Sequence, residues 1–409
     1  MKNTFTKNIS TLLLVISLNF VHCLMPYQAV TIVPVADLLG DAAQNMSSQT
    51  KNISTCYNQL PLCSQKAPQC SRLHQLLFNE IVTVIEEKNE EIRIEIPNLY
   101  FETSGNTKKN NTYWALKKNF ISLETLKKNN IELSQLPLQI KYDETKIIKH
   151  QSPPTVTLLL PYYDEHFHRT FSAGTRFVVK TTNTTNVSVY ALNHDASKIT
   201  MLVIPKKIVL AQTKNQTQEQ QIEIFLKVLK VWAHPKQGFI PYVWGGCSYT
   251  QACLQEAFTK TSSSNNYHRE NYCKNQVKTG FDCTGLLARA AQAAGMPYYF
   301  KNSTTILQHL KELTLKDHPE NGDIIWLPGH IMIISDAKNN LVIEARSYDH
   351  GWGKIHEAPI YAIFKNTPTL KSLLELCINK KRLERINRNG IVAQEITQCK
   401  ILSVKSIWH

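Results

Sequence analysis

GFDCTGLLARAAQAAG, residues Gly280 to Gly295, decides how the rest of the chain is read. Apolar Leu286, Leu287, Ala290, Ala291 and Ala294 recur at helical spacing. Asp282 suits the N-cap, Gly295 suits the position just past the last turn, and Pro297 forbids continuation. Cys283 therefore falls at the first helical position. Unpaired N–H groups and the positive end of the helix dipole favour a thiolate there, and such settings lower a cysteine pKa from about 8.5 to roughly 3.5–7.5. Taken alone, Cys283 is equally a buried structural cysteine, because cysteine is among the most buried residue types.

Two further stretches shift that balance. Upstream is PYVWGG, Pro241 to Gly246; downstream are NGDIIWLPGHIMIIS, Asn321 to Ser335, and LVIEAR, Leu341 to Arg346. A nucleophilic cysteine needs a base, and the base needs an orienting partner. His330 follows a Pro-Gly turn and opens the buried-strand run Ile331–Ile334. Glu344 lies on the next strand, after the Asp336–Asn340 turn, where antiparallel pairing brings its carboxylate to the imidazole's second nitrogen. Opposite charge there is expected to raise the His330 pKa. His356, beyond Gly351-Trp-Gly353, is the rival for this third position; it is expected on a later strand or loop, with little part in the site. Read singly, His330 is also a satisfied core histidine and Glu344 an exposed strand carboxylate.

The ordered set Tyr242-x-Trp244-Gly245-Gly246, Asp282-Cys283-Thr284-Gly285-Leu286, Gly322-Asp323-Ile324 and Gly329-His330 resembles the NlpC-type family of papain-like cell-wall peptidases, over residues 218–363. The resemblance implies an α+β papain-like catalytic domain over 213–364. It makes Cys283 the nucleophile, His330 the base and Glu344 the orienting residue. Tyr242 matches the family tyrosine near the cysteine. Asp282 matches the aspartate that holds the substrate's free amino group, with Thr284 beside it. The implied reaction is hydrolysis of the γ-D-glutamyl–diamino acid amide in peptidoglycan stem peptides or muropeptides, with no metal and no cofactor. Three features depart from the family pattern. Glutamate stands where histidine is usual, although a carboxylate orients imidazole well. Thr284 replaces the usual serine. A Cys-, Ser- and Asn-rich insertion over 247–281 bears on the shape of the substrate groove. An amidase, acyltransferase or effector hydrolase on the same scaffold is a second reading. A non-catalytic cell-wall-binding protein is a third, against which the intact Cys283, His330 and Glu344 set argues.

Upstream, short strand candidates with polar turns suggest small β-barrels. They include Val30–Asp37, the β-branched end of Ser71–Glu86, Ile92–Ile96 and Tyr113–Leu116. Their motifs resemble the first bacterial SH3-like domain of multidomain NlpC-type enzymes, over 28–150, with 45–69 inserted and with structural roles for Gln75, Phe78 and Glu80. Strand candidates within Val156–Ile204 make a second SH3-like β domain over 151–212. The fold class expected is two small all-β SH3-like barrels followed by the α+β catalytic domain. An amphipathic helix marked by Ile222, Phe225, Leu226, Leu229 and Trp232 opens that domain. A short helix with Ser303 as its cap lies within it. A C-terminal extension, 365–409, carries a helical Leu370–Leu376 patch and no readable function.

The 409 residues are 43% hydrophobic and 19% charged, ordinary for a multidomain globular protein. Lys2 and Lys7 precede the apolar run Ile9–Val21, a secretory signal shape over 1–23 that is too short to span a bilayer. Export to the periplasm, cell envelope or medium is expected, with no stable membrane span beyond that signal. The net charge of +14 is spread along the chain, without the basic stripe or module of a nucleic-acid binder. In an exported protein it favours anionic envelope polymers. The ten cysteines include Cys56, Cys63 and Cys70, then Cys247, Cys253 and Cys273, then Cys377 and Cys399. At least one bridge is expected among Cys247, Cys253 and Cys273, and the remaining connectivity is open. The first cluster with His74 lacks zinc-like spacing, and His166-x-His168 is read as a surface pair.

Overall fold

The computed structural model describes residues 25–46, 53–58, 60, 72–97, 99–101, 110–138, 154–211, 216–252, 277–297, 302–348 and 352–408. The signal segment, Cys23, Cys63, Cys70, Cys253, Cys273 and most of the 247–281 insertion lie outside the described residues. No helix among the described residues is long and apolar enough to cross a membrane.

The N-terminal part is antiparallel β. Seven strands run in the order Arg72–Leu77, Val35–Leu39, Thr112–Leu116, Glu91–Glu95, Ile81–Lys88, Tyr27–Thr31 and Phe120–Ser122. The Val30–Asp37 run is not one strand. It breaks into two at Val33-Pro34, because proline has no N–H to give a ladder. Ser71–Glu86 likewise breaks at a turn where Asn79 takes φ 70, a left-handed conformation asparagine tolerates. A second, five-stranded sheet has the order Ile199–Pro205, Asn186–Leu192, Arg176–Thr182, Thr155–Leu158 and Val209–Ala211. Barrels were the expectation for both regions. The pairings among the described residues give open strand orders instead.

The C-terminal part is built on a five-stranded antiparallel sheet. Its order is Lys354–Pro359, Leu341–Arg346, His330–Asp336, Ile324–Leu327 and Lys400–Leu402. The last of these comes from the segment read as an extension, so that segment supplies an edge of the sheet. Period-two alternation divides its side chains between two cores. Ile331, Ile333, Ile343 and Ala345 face the helices Gln218–Ala233 and Cys283–Ala294. Met332, Ile334 and Val342 face the helix Leu370–Ile378 and Leu383 of a following hairpin, Leu383–Ile386 with Val392–Ile396. A disulfide joins Cys377 to Cys399 and brings the end of that helix to the start of the edge strand.

The Gln218–Ala233 helix starts at a Thr217–Gln220 capping box and buries Phe225, Leu229 and Trp232. The short helix is Ser303–His309, and its cap is Asn302, not Ser303. The Asn302 side chain accepts from Thr305 N, which moves the start one residue earlier than the cap expected from sequence.

Candidate active site

The Cys283–Ala294 helix begins where its sequence signals put it. Asp282 Oδ1 accepts from Gly285 N and from Thr284 Oγ1, the latter at 3.0 Å. Asp282 Oδ2 accepts from Gly245 N at 2.9 Å. One carboxylate therefore caps the helix and ties it to the Tyr242–Gly246 loop. Gly285 lets that loop come close, since a Cβ there would stand 1.9 Å from Gly246 O. At the C-terminus Gly295 is left-handed, φ 75. Cys283 is 9% exposed and joins the core that includes Ile331, Ile333 and Ala345.

A chain of backbone pairings fixes which end of the sheet this helix start occupies. Tyr242 bridges Phe281, two residues before Cys283, and its N–H donates to Gly353 O at 2.9 Å. Pro241 bridges Lys354, which pairs with Arg346 at the end of the Glu344 strand. The antiparallel register, Ile333 opposite Ile343, brings the start of the His330 strand to that same end. Tyr242 itself is buried, with its ring edge-on to Tyr348 at 6.1 Å and its carbonyl accepting from Tyr348 Oη.

His330 and Glu344 are in contact: Nε2 to Oε2 is 2.7 Å. Glu344 is fully buried. Arg385 Nη2 pairs with the same Oε2, while Arg346 Nη1 stands 3.8 Å and His356 Nε2 3.2 Å from Oε1. His356 was expected on a later strand or loop, with little part in the site. It sits on the adjacent strand directly opposite Glu344, stacked on Trp352 with ring centroids 3.9 Å apart. Its approach to Oε1 lies within ion-pair reach but off the angle of a hydrogen bond, and Oε1 has no hydrogen-bond partner. Sequence reasoning passed over Arg346, although its place two residues after Glu344 on a strand puts both on one face. Arg385 carried no sequence signal at all.

The electrostatics follow from this crowding. Burial alone would push the Glu344 carboxyl up. The Arg385 charge, then the His330 and His356 side chains, overcome burial and hold it well below the usual carboxylate range. His330 moves opposite to expectation. Burial, and next the Arg385 charge, outweigh Glu344 and pull its pKa down from 6.5 to about 4. Burial also lowers Arg346, to about 10. An ionised carboxylate only accepts, so His330 Nε2 carries the proton toward Glu344 and Nδ1 keeps a lone pair. Asp323, of the Gly-Asp motif, is buried and accepts from Glu320 N at 2.8 Å and Val404 N at 3.0 Å; burial raises it to about 6.

Cys247, one of the three cysteines among which a bridge was expected, is a buried thiol donating to Gly285 O at 3.4 Å, and the other two lie outside the described residues. Among the described residues the disulfide is Cys377–Cys399.

No protein-family model matches the chain, and no curated protein matches it. Its structure is similar to an NlpC/P60 family protein from Bacillus cereus, with TM-score 0.50 and 15% identity over 84% of this chain and 96% of that one. The fold is of the NlpC type. NlpC1 from Trichomonas vaginalis matches at TM-score 0.30 and 10% identity, over 82% of this chain and 89% of that one. The peptidoglycan hydrolase RipB from Mycobacterium tuberculosis matches at TM-score 0.22 and 24% identity, over 34% of this chain and 59% of that one.

Proposed function

We propose that the chain is an exported cysteine peptidase that hydrolyses an amide of peptidoglycan stem peptides, the bond between γ-D-glutamyl and a diamino acid. The observation that carries this reading is the His330–Glu344 pair, 2.7 Å apart, at the sheet end where the helix bearing Cys283 begins. The NlpC-type fold supports it. The reading requires the Nδ1 edge of His330 to face the Cys283 thiol. His330, neutral at neutral pH, takes the thiol proton as sulfur attacks the carbonyl carbon. The Cys283 N–H, outside the helix's own ladder at its first turn, is a donor for the oxyanion, an interaction worth about 2.7–4 kcal/mol per donor. His330 then protonates the leaving amine. A water loses its proton to His330 and its oxygen displaces sulfur from the thioester, releasing the acid and restoring the thiol.

Asp282, with Tyr242 and Thr284, is the proposed recognition point for the free amine of a trimmed stem peptide. That favours soluble muropeptides over intact wall. Digestion of defined muropeptides followed by mass analysis tests the reading. The wild type is expected to yield fragments cut after the γ-D-glutamyl residue. Cys283→Ala is expected to yield none while keeping the wild-type circular dichroism, because alanine suits a first helical turn. Wild-type turnover by Cys283→Ala would sink the mechanism.

A further inference from the structure

Arg385 lies on the first strand of the C-terminal hairpin, and its side chain is 4% exposed. Its Nη2 pairs with the oxygen of Glu344 that meets His330 Nε2. The other oxygen, Oε1, faces the imidazole of His356, Nε2 at 3.2 Å, and the guanidinium of Arg346, Nη1 at 3.8 Å. Arg385 is thus the group that holds the carboxylate's imidazole-facing oxygen against pull from the far side. The hairpin carrying it is anchored at the site. Arg346 Nη2 donates to Ile386 O at 2.8 Å, Ile386 N donates to Ile363 O at 2.9 Å, and Phe364 bridges Arg385.

We propose that Arg385 is a positioning residue of the Cys283–His330 reaction: its guanidinium keeps Glu344 ionised and keeps Oε2 on His330 Nε2. The proposal rests on the peptidase reading above. Its physical basis is twofold. Arg385 meets Glu344 through Nη2 alone, and a planar guanidinium buried on a hairpin strand holds that contact in a fixed direction, which a flexible ammonium does not. Its charge, a residue away from the imidazole across Glu344, opposes formation of imidazolium. The groups around His330 that share in this balance are Glu344 and Arg346 on the neighbouring strand, His356 beyond it, Arg385 on the hairpin and Cys283 at the helix start. The hairpin therefore tunes the base from outside the strands that carry it.

The test uses the full chain and two readouts that need no substrate. These are the His330 titration, followed by NMR of ring-labelled histidine and assigned with His330→Gln, and the rate at which iodoacetamide alkylates Cys283. Arg385→Met is expected to raise the His330 midpoint by about one pH unit and yet to slow alkylation at neutral pH several-fold, because loss of the Glu344 orientation outweighs the more basic imidazole; faster alkylation would show a charge effect alone and overturn the positioning role. Arg385→Lys, which retains the buried charge and covers a failure of the methionine variant to fold, is expected to keep the midpoint near wild type yet still slow alkylation. A loss of thermal stability in Arg385→Met with both readouts unmoved would make the pair merely structural and overturn the proposal. So would wild-type alkylation by Arg385→Lys. The peptidase reading fails separately, by a different result: alkylation of wild-type Cys283 that is no faster than that of an ordinary thiol and is indifferent to His330→Gln.

Discussion

Glu344 shows how burial changes what a residue does. The sequence suggests an orienting carboxylate for His330 or, read singly, an exposed strand carboxylate. In the fold it is a fully buried anion facing Arg385, Arg346, His330 and His356. Glu344→Gln leaves two buried guanidiniums without their charge partner, and removing one member of a buried pair is strongly destabilising, about 3–5 kcal/mol. Urea unfolding of Glu344→Gln is expected to show a loss on that scale; a wild-type midpoint would mean the guanidiniums are solvated or otherwise paired. His330 sets an acid limit of its own. Burial and then Arg385 lower it to about 4 in the fold from 6.5 in the open chain, so the unfolded chain binds the proton first as pH falls. Its stabilising share is complete above pH 6.5 and is lost as pH drops toward about 4. Unfolding titrations across that window are expected to show falling stability, with a shallower fall in His330→Gln; equal slopes would assign the acid loss to other groups.

At the scale of elements, the Cys377–Cys399 bridge spans 22 residues and encloses the hairpin that carries Arg385. In the chain-entropy account a loop of this size contributes about 3 kcal/mol. Cys377→Ser with Cys399→Ser, or reduction of the wild type, is expected to lower stability by that order and to speed amide exchange in 383–402. Unchanged exchange there would show that packing alone holds the hairpin. The Cys283–Ala294 helix was legible in the sequence because its cap, apolar spacing, Gly295 and Pro297 all act within a few residues of one another. So were most core strands, where β-branched runs fix the element type. The partners of Glu344 beyond His330 were not. Their proximity is set by register and by a hairpin far along the chain, and neither leaves a local pattern. The direction of the His330 shift was missed for the same reason, since it is set first by burial in the fold and then by Arg385. Ser303 was read as a cap because serine suits that position, but the asparagine before it suits it as well, and the side-chain bond to Thr305 N puts the cap on Asn302.

Across the whole molecule, the first sheet grips the loop and helix of the candidate site. Gln75 Oε1 accepts from Cys247 N at 2.9 Å and Ser248 Oγ at 2.7 Å, and its Nε2 donates to Lys278 O at 2.8 Å. Arg289, on the Cys283–Ala294 helix and buried, pairs with Glu80 and donates to Gln75 O at 2.9 Å. Arg72 donates to Trp244 O at 3.2 Å while paired to Asp37. The tightest point is Gly245, at φ 66, where a Cβ would come within 2.3 Å of Arg72 O. Gly245→Ala is expected to push the loop off the first sheet, lowering both thermal stability and Cys283 alkylation; wild-type alkylation would mean the loop holds its shape unaided. The edge strand Lys400–Leu402 has a consequence in time. It pairs with Ile324–Leu327, and Val404 just beyond it donates to buried Asp323. On the ribosome this strand emerges after Cys283, His330 and Glu344 have been made. Until that strand is made, the Ile324–Leu327 strand has an open flank, and the sheet that carries His330 and Glu344 is incomplete however much of the site's sequence already exists.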